Sequence, residues 1–117
     1  MVIINKDLQS IQAYRSKMNE KILSSGNKEI KRFFNIDHSV YDSGALEKKT
    51  KELLGLVASL VLRCNECIAY HVDQCILQGV TREEFTEACS IGLVVGGSIT
   101  IPHIRYIFEL LDEEEVS

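Results

Sequence analysis

ALEKKTKELLGLVASLVLRCNECIAYHVDQCILQ, residues 45–78, contains no proline and a single glycine, Gly55, so local propensity alone would run it as one helix. That helix would be roughly 50 Å long, too long for a chain of 117 residues. A turn must therefore fall inside the stretch. The best place is residues 62–64, where the apolar run that starts at Leu53 ends and Arg63 and Asn65 appear. The product is a helical hairpin, in which positions equidistant from the turn face each other. For a turn near residues 61–63, Glu52 lies about as far before it as His71 lies after it.

Working outward, apolar residues at Leu8, Ile11, Tyr14, Met18 and Ile22 recur at helical spacing over residues 6–24, and Gly26 ends the run. A short helix is expected over residues 28–34. Residues 35–44 have the composition of a loop, with Ser43 placed to cap the helix expected over 45–62. That helix turns apolar on all sides, which predicts burial on all sides. On the far side of the hairpin, Gly79 suits a left-handed helix end. Thr81 and Glu84 then form a capping box, opening a helix to about Val95. Gly96 and Gly97 interrupt the chain, and Pro102 fits the first turn of a last helix. The acidic run Asp112 to Glu115 opposes that helix's dipole and is expected as a frayed, solvated tail. The whole reads as an all-α fold, a single-domain helical bundle over residues 1–117.

Chemistry gathers in Cys64-Asn65-Glu66-Cys67. Two cysteines three apart at a helix start share a face and can close a disulfide. The helix N-terminus also favours the thiolate, the species that attacks peroxides and disulfides. His71 lies one turn beyond Cys67 on the same face but nearly two turns, roughly 10 Å, from Cys64. Cys67 is therefore the thiol able to exchange a proton with it directly. Glu52 across the hairpin could orient the imidazole and raise its basicity. Zinc is the competing use, since Cys64, Cys67, His71 and Cys75 are all zinc-compatible. On one continuous helix, however, Cys64 and Cys75 stand roughly 16 Å apart and cannot meet one ion. Neither metal nor organic cofactor is expected. Cys75 and Cys89 read as small buried hydrophobes, Glu66 as pointing outward, and His38 and His103 as surface or capping residues.

With these residues in place, the sequence resembles the carboxymuconolactone decarboxylase-like superfamily, in its alkylhydroperoxidase D-like branch. The match runs from Leu46 to Gly97: a Glu twelve residues before C-x-x-C-x-x-x-H, then Gly79-Val80-Thr81-Arg82-Glu83-Glu84, then Gly96-Gly97. The resemblance implies an all-α fold with the Glu beside the His, and homo-oligomers, often trimers or hexamers. It also implies that Cys67 attacks a peroxide with help from a Glu52–His71 relay, and that Cys64 resolves the sulfenic acid as a disulfide. Well-studied members carry a second histidine just before the second cysteine, where this chain has Glu66.

Composition narrows the partners. The net charge is -4 and basic residues are interleaved with acids, which disfavours nucleic acid. No apolar run approaches the roughly 20 residues of a membrane span. The start shows no secretory pattern, and four cysteines without one imply a cytoplasmic, reducing setting. Residues 53–62 and 91–101 carry enough apolar surface to suggest a homo-oligomer. The expected activity is that of a thiol-disulfide oxidoreductase or peroxidase acting on a small peroxide or disulfide with a thiol reductant. The alternatives are a lyase acting on a small lactone and a non-catalytic redox sensor.

Overall fold

The computed structural model describes residues 7–117. These form six α-helices: α1 (Leu8–Leu23), α2 (Lys28–Val40), α3 (Lys48–Val61), α4 (Asn65–Leu77), α5 (Arg82–Gly96) and α6 (Ile101–Glu113). A short 3₁₀ turn, Ser98–Thr100, precedes α6, and there is no strand among the described residues. Lys6, the expected start of the first helix, lies outside them.

The hairpin closes at residues 62–64, as the length of the stretch requires. The Arg63 N–H donates to Leu60 O at 3.0 Å and the Cys64 N–H to Ser59 O at 3.1 Å, the paired bonds that satisfy carbonyls at a helix end. This geometry needs a left-handed residue, and here it is Arg63, with φ 59°. Glycine usually fills that position, so the turn carries no glycine signal. At the end of α4 the same pairing recurs with Gly79 at φ 78°. The capping box at α5 is also present: Glu84 N–H donates to Thr81 Oγ1 at 3.1 Å and Thr81 N–H to Glu84 Oε1 at 2.9 Å.

Packing follows from the hairpin. Leu56 and Leu60 of α3 meet Ile68, Val72 and Cys75 of α4, and Phe85 and Cys89 of α5 join this cluster. Ile107, Leu110 and Leu111 of α6 complete it, with Leu8 at the start of α1. Close approach of α5 to α3 depends on small residues. A Cβ at Gly92 would stand 2.5 Å from Leu60 Cδ2.

The structure corrects five local expectations. First, α2 continues to Val40 rather than ending at Phe34. Ile36 and Val40 extend the apolar spacing of Phe33, and the short polar residues between them lie on the helix surface instead of forming a loop. Second, α3 starts at Lys48 with Glu47 as its cap residue, and Ser43 acts from outside by accepting the Lys48 N–H at 3.1 Å. Third, α3 is not buried all round, because Leu54 and Leu62 are exposed. Fourth, the α1 stripe, expected as one face of an amphipathic helix, is buried at Leu8 and half-buried at Ile11 and Met18 but exposed at Tyr14 and Ile22. Fifth, the acidic end is tied down. Arg82 donates to Asp112 Oδ1 at 2.7 Å and to Val116 O at 3.2 Å, and its N–H to Ser117 O at 2.9 Å. One arginine thus offsets the unfavourable charge placement.

Since Leu60 is almost wholly buried, it has little room to yield to a new methyl group. Gly92→Ala is expected to lower stability by about 1–3 kcal/mol, measured by chemical denaturation against the parent chain.

Candidate active site around the paired cysteines

Cys64 and Cys67 are joined as a disulfide, with their Cα atoms 5.3 Å apart. Cys64 is the N-cap of α4, and its Sγ accepts the Cys67 N–H at 3.3 Å. A sulfur in that position receives the amide dipoles that stabilise a thiolate. Cys67 is exposed, whereas Cys64 is half-buried. The intervening Asn65 is anchored from α6, because His103 Nδ1 lies 2.7 Å from Asn65 Oδ1. An amide oxygen only accepts, so His103 carries its proton on Nδ1. His103, expected as a surface or capping residue, is half-buried and braces the cysteine turn from α6.

Behind the cysteines, His71 is buried and its Nδ1 lies 2.9 Å from Oε1 of Glu52. Glu52 is 0% exposed, and a lone carboxylate at such a place would be costly. It has two partners. Lys48 Nζ, one turn earlier on α3 and partly exposed, stands 3.4 Å from the other oxygen, Oε2. The pair lies at the (i, i+4) spacing visible in the sequence; the expectation for Glu52 had named only the histidine.

The imidazole is held from several sides. Tyr41 lies with its ring centroid 5.3 Å from that of His71, and Tyr70 meets it edge-on at 5.1 Å. Burial, and next the nearby Glu52, push both tyrosine hydroxyls above their ordinary value, so both remain protonated at neutral pH. Underneath, α3 offers Gly55. A Cβ there would come within 2.5 Å of His71 Cε1 and 2.8 Å of both ring nitrogens. Gly55 is the clearance through which the ring reaches Glu52.

Cys67 and His71 open on a cavity of about 440 Å³. Tyr70 and Glu66 of α4 border it too, so Glu66 is exposed as expected yet stands beside the thiol. The remaining walls come from Arg15 and Asn19 of α1 and from Phe33, Phe34, Asp37 and His38 of α2. Of these only His38 was singled out in the sequence, and as an exposed surface or capping residue, because only the tertiary fold brings α1 and α2 to the cysteines. Cys75 and Cys89 sit elsewhere in the core, where burial pushes their thiols up to about 12 and about 11. Among the described residues no group of three or more His, Cys, Asp or Glu could hold a metal ion, and no helix is long and apolar enough to cross a membrane.

Comparison with known proteins gives a consistent result. Residues 30–110 match the carboxymuconolactone decarboxylase family. An uncharacterized protein of the cox locus of Paracoccus denitrificans is 30% identical over 81 residues, which is 69% of this chain and 73% of that protein. The crystal structure of TM1620 from Thermotoga maritima superposes with a TM-score of 0.89 at 51% identity, covering 92% of this chain and 94% of that one. A second crystal structure of that protein, with a TM-score of 0.86, describes it as a carboxymuconolactone decarboxylase family protein with a suggested part in the antioxidative response. A Legionella pneumophila protein described as of the same family shares the fold, with a TM-score of 0.83 at 24% identity over 91% of this chain and 95% of that one.

Because the ring of His71 occupies the space above Gly55, Gly55→Ala is expected to displace it from Glu52. The displaced ring should show as a changed His71 side-chain NMR signal, together with a loss of stability of about 1–3 kcal/mol from overpacking.

Proposed function

The chain belongs to the carboxymuconolactone decarboxylase family, and within that family we propose that it is a thiol-disulfide oxidoreductase that consumes small peroxides. One observation carries the reading: an exposed cysteine able to pair with its neighbour shares a cavity with a histidine whose Nδ1 meets a buried carboxylate. A lactone-decarboxylating reaction would leave the paired cysteines without a task.

In this reading the reduced enzyme attacks with Cys67. Glu52, as carboxylate, takes the Nδ1–H of His71 and leaves Nε2 free to accept the thiol proton. The Cys67 thiolate attacks the peroxide oxygen, the O–O bond breaks, and His71 returns the proton to the departing alkoxide. Cys67 becomes a sulfenic acid. Cys64, at the helix N-cap, then attacks that sulfur, releasing water and forming the disulfide. A thiol reductant restores the pair. Lys48 supports the relay by holding the second oxygen of Glu52 in place.

A homo-oligomer fits the same reading. The Cα radius of gyration is 14.9 Å, above the roughly 13.4 Å of an ordinary domain of this length. Apolar side chains also stand uncovered, with Phe33 on α2 68% exposed and Val94 on α5 85% exposed. Light scattering at micromolar concentration is expected to give a multiple of the chain mass, and a monomer would contradict it.

Replacing Cys67 with Ser should abolish peroxide consumption. Cys64→Ser should react once and stop as a sulfenic acid that a dimedone-type probe traps on Cys67. Glu52→Gln and His71→Ala should slow the first step by roughly 100-fold, yet strong oxidant should still close the disulfide. Lys48→Met should slow it less, and Lys48→Arg should restore it. A sulfenic acid trapped on Cys64 in the Cys67→Ser protein would reverse the roles.

A further inference from the structure

The cavity beside Cys67 is far larger than a peroxide group requires, and its wall carries charges of both signs. The guanidinium of Arg15 lies 4.9 Å over the ring of Tyr70. Among the described residues it has no hydrogen-bond or ion-pair partner, and its Nη2 is shielded from water with its donors unmet. A guanidinium so placed has the fork geometry that recognises a carboxylate. The same wall holds Asp37 and Glu66, both exposed and neither paired among the described residues. A purely anionic ligand would meet two carboxylates, and a purely cationic one would meet the guanidinium. A ligand carrying both charges finds a counterpart for each.

We infer that this cavity receives a zwitterionic low-molecular-weight thiol, an amino-acid-like molecule bearing a carboxylate and an ammonium, as the reductant of the Cys64–Cys67 disulfide. The inference rests on the thiol-disulfide reading of the site and names its reductant class. At about 440 Å³ the cavity lies in the lower part of the range for small-molecule sites. Cys67 lines it and Cys64 does not, which fixes the sulfur that is attacked.

The ligand thiolate attacks Cys67 Sγ, forming a mixed disulfide and breaking the Cys64–Cys67 bond. The electron pair leaves on Cys64 Sγ, the atom that accepts the Cys67 N–H at the start of α4, a position that favours a departing thiolate. A second ligand thiolate then attacks the ligand sulfur of the mixed disulfide, and Cys67 leaves as thiolate. Two thiols are oxidised to one symmetrical disulfide, the protein pair is reduced, and the two thiol protons pass to the two cysteines.

The test is the rate at which four thiols reduce the oxidised protein: L-cysteine, N-acetylcysteine without the ammonium, cysteamine without the carboxylate, and uncharged 2-mercaptoethanol. Each variant is compared with the parent chain for each thiol, which cancels the thiol's intrinsic reactivity. Arg15→Gln should slow L-cysteine and N-acetylcysteine by roughly tenfold and leave the other two within about twofold. The paired change Asp37→Asn with Glu66→Gln should instead slow L-cysteine and cysteamine. Arg15→Lys, which keeps the charge, should recover part of the loss and guards against misfolding as the cause. An equal factor for all four thiols, or no effect, would overturn the docking site while leaving the thiol-disulfide reading intact. Failure of every thiol, dithiothreitol included, to reduce the pair in the folded protein would overturn both.

Discussion

A carboxylate with no solvent exposure, Glu52, has to be satisfied from within the protein. Its two oxygens are met by His71 from across the hairpin and by Lys48 from one turn back. That need sets the register of α3 against α4. A hairpin closed one residue earlier or later would turn the histidine away and leave Glu52 with Lys48 alone, so the turn at Arg63 is held in a left-handed conformation that arginine does not favour. Local backbone strain beside the cysteines is thus offset by the contacts that the register creates.

From that register the chemistry of the cysteines follows. Ending α3 at residue 61 makes Cys64 the first cap of α4 and sets Cys67 on its opening turn, with His71 one turn below. Gly55 gives the imidazole clearance, the rings of Tyr41 and Tyr70 flank it, and His103 braces Asn65. Each of these fixes an angle or a distance rather than taking part in bond making. The cysteine turn is carried on helices, while the cavity wall facing it comes from α1 and α2, which bury only Leu8 between them. The cavity wall therefore belongs to the less embedded part of the protein and the cysteine pair to the more embedded part.

Much of the hairpin was legible in the sequence because it follows from length and spacing. The cysteine pair, the histidine one turn on, and the glutamate opposite are separated by intervals that helical geometry converts into positions. The capping box at Thr81 and the glycine turn at Gly79 are equally local, and their signals are chemical. The reading fails where a residue's role depends on distant chain. Residues 35–40 have loop composition but helical spacing, and the spacing decides. Ser43 and Arg82 act across gaps that no local rule anticipates. Lys48 was within reach, since its spacing from Glu52 is that of a helical ion pair. Arg15 and His38 were not, because nothing in their neighbourhoods points toward a cysteine dozens of residues away.

The relay depends on Glu52 fixing the tautomer of His71. Nitrogen-15 NMR of the histidine side chains in the reduced protein at neutral pH reads this directly. The expected result is a proton on Nδ1, hydrogen-bonded to Glu52, with Nε2 bare, and loss of that preference in Glu52→Gln. A ring protonated on Nε2, with its bare Nδ1 facing the carboxylate, would contradict it.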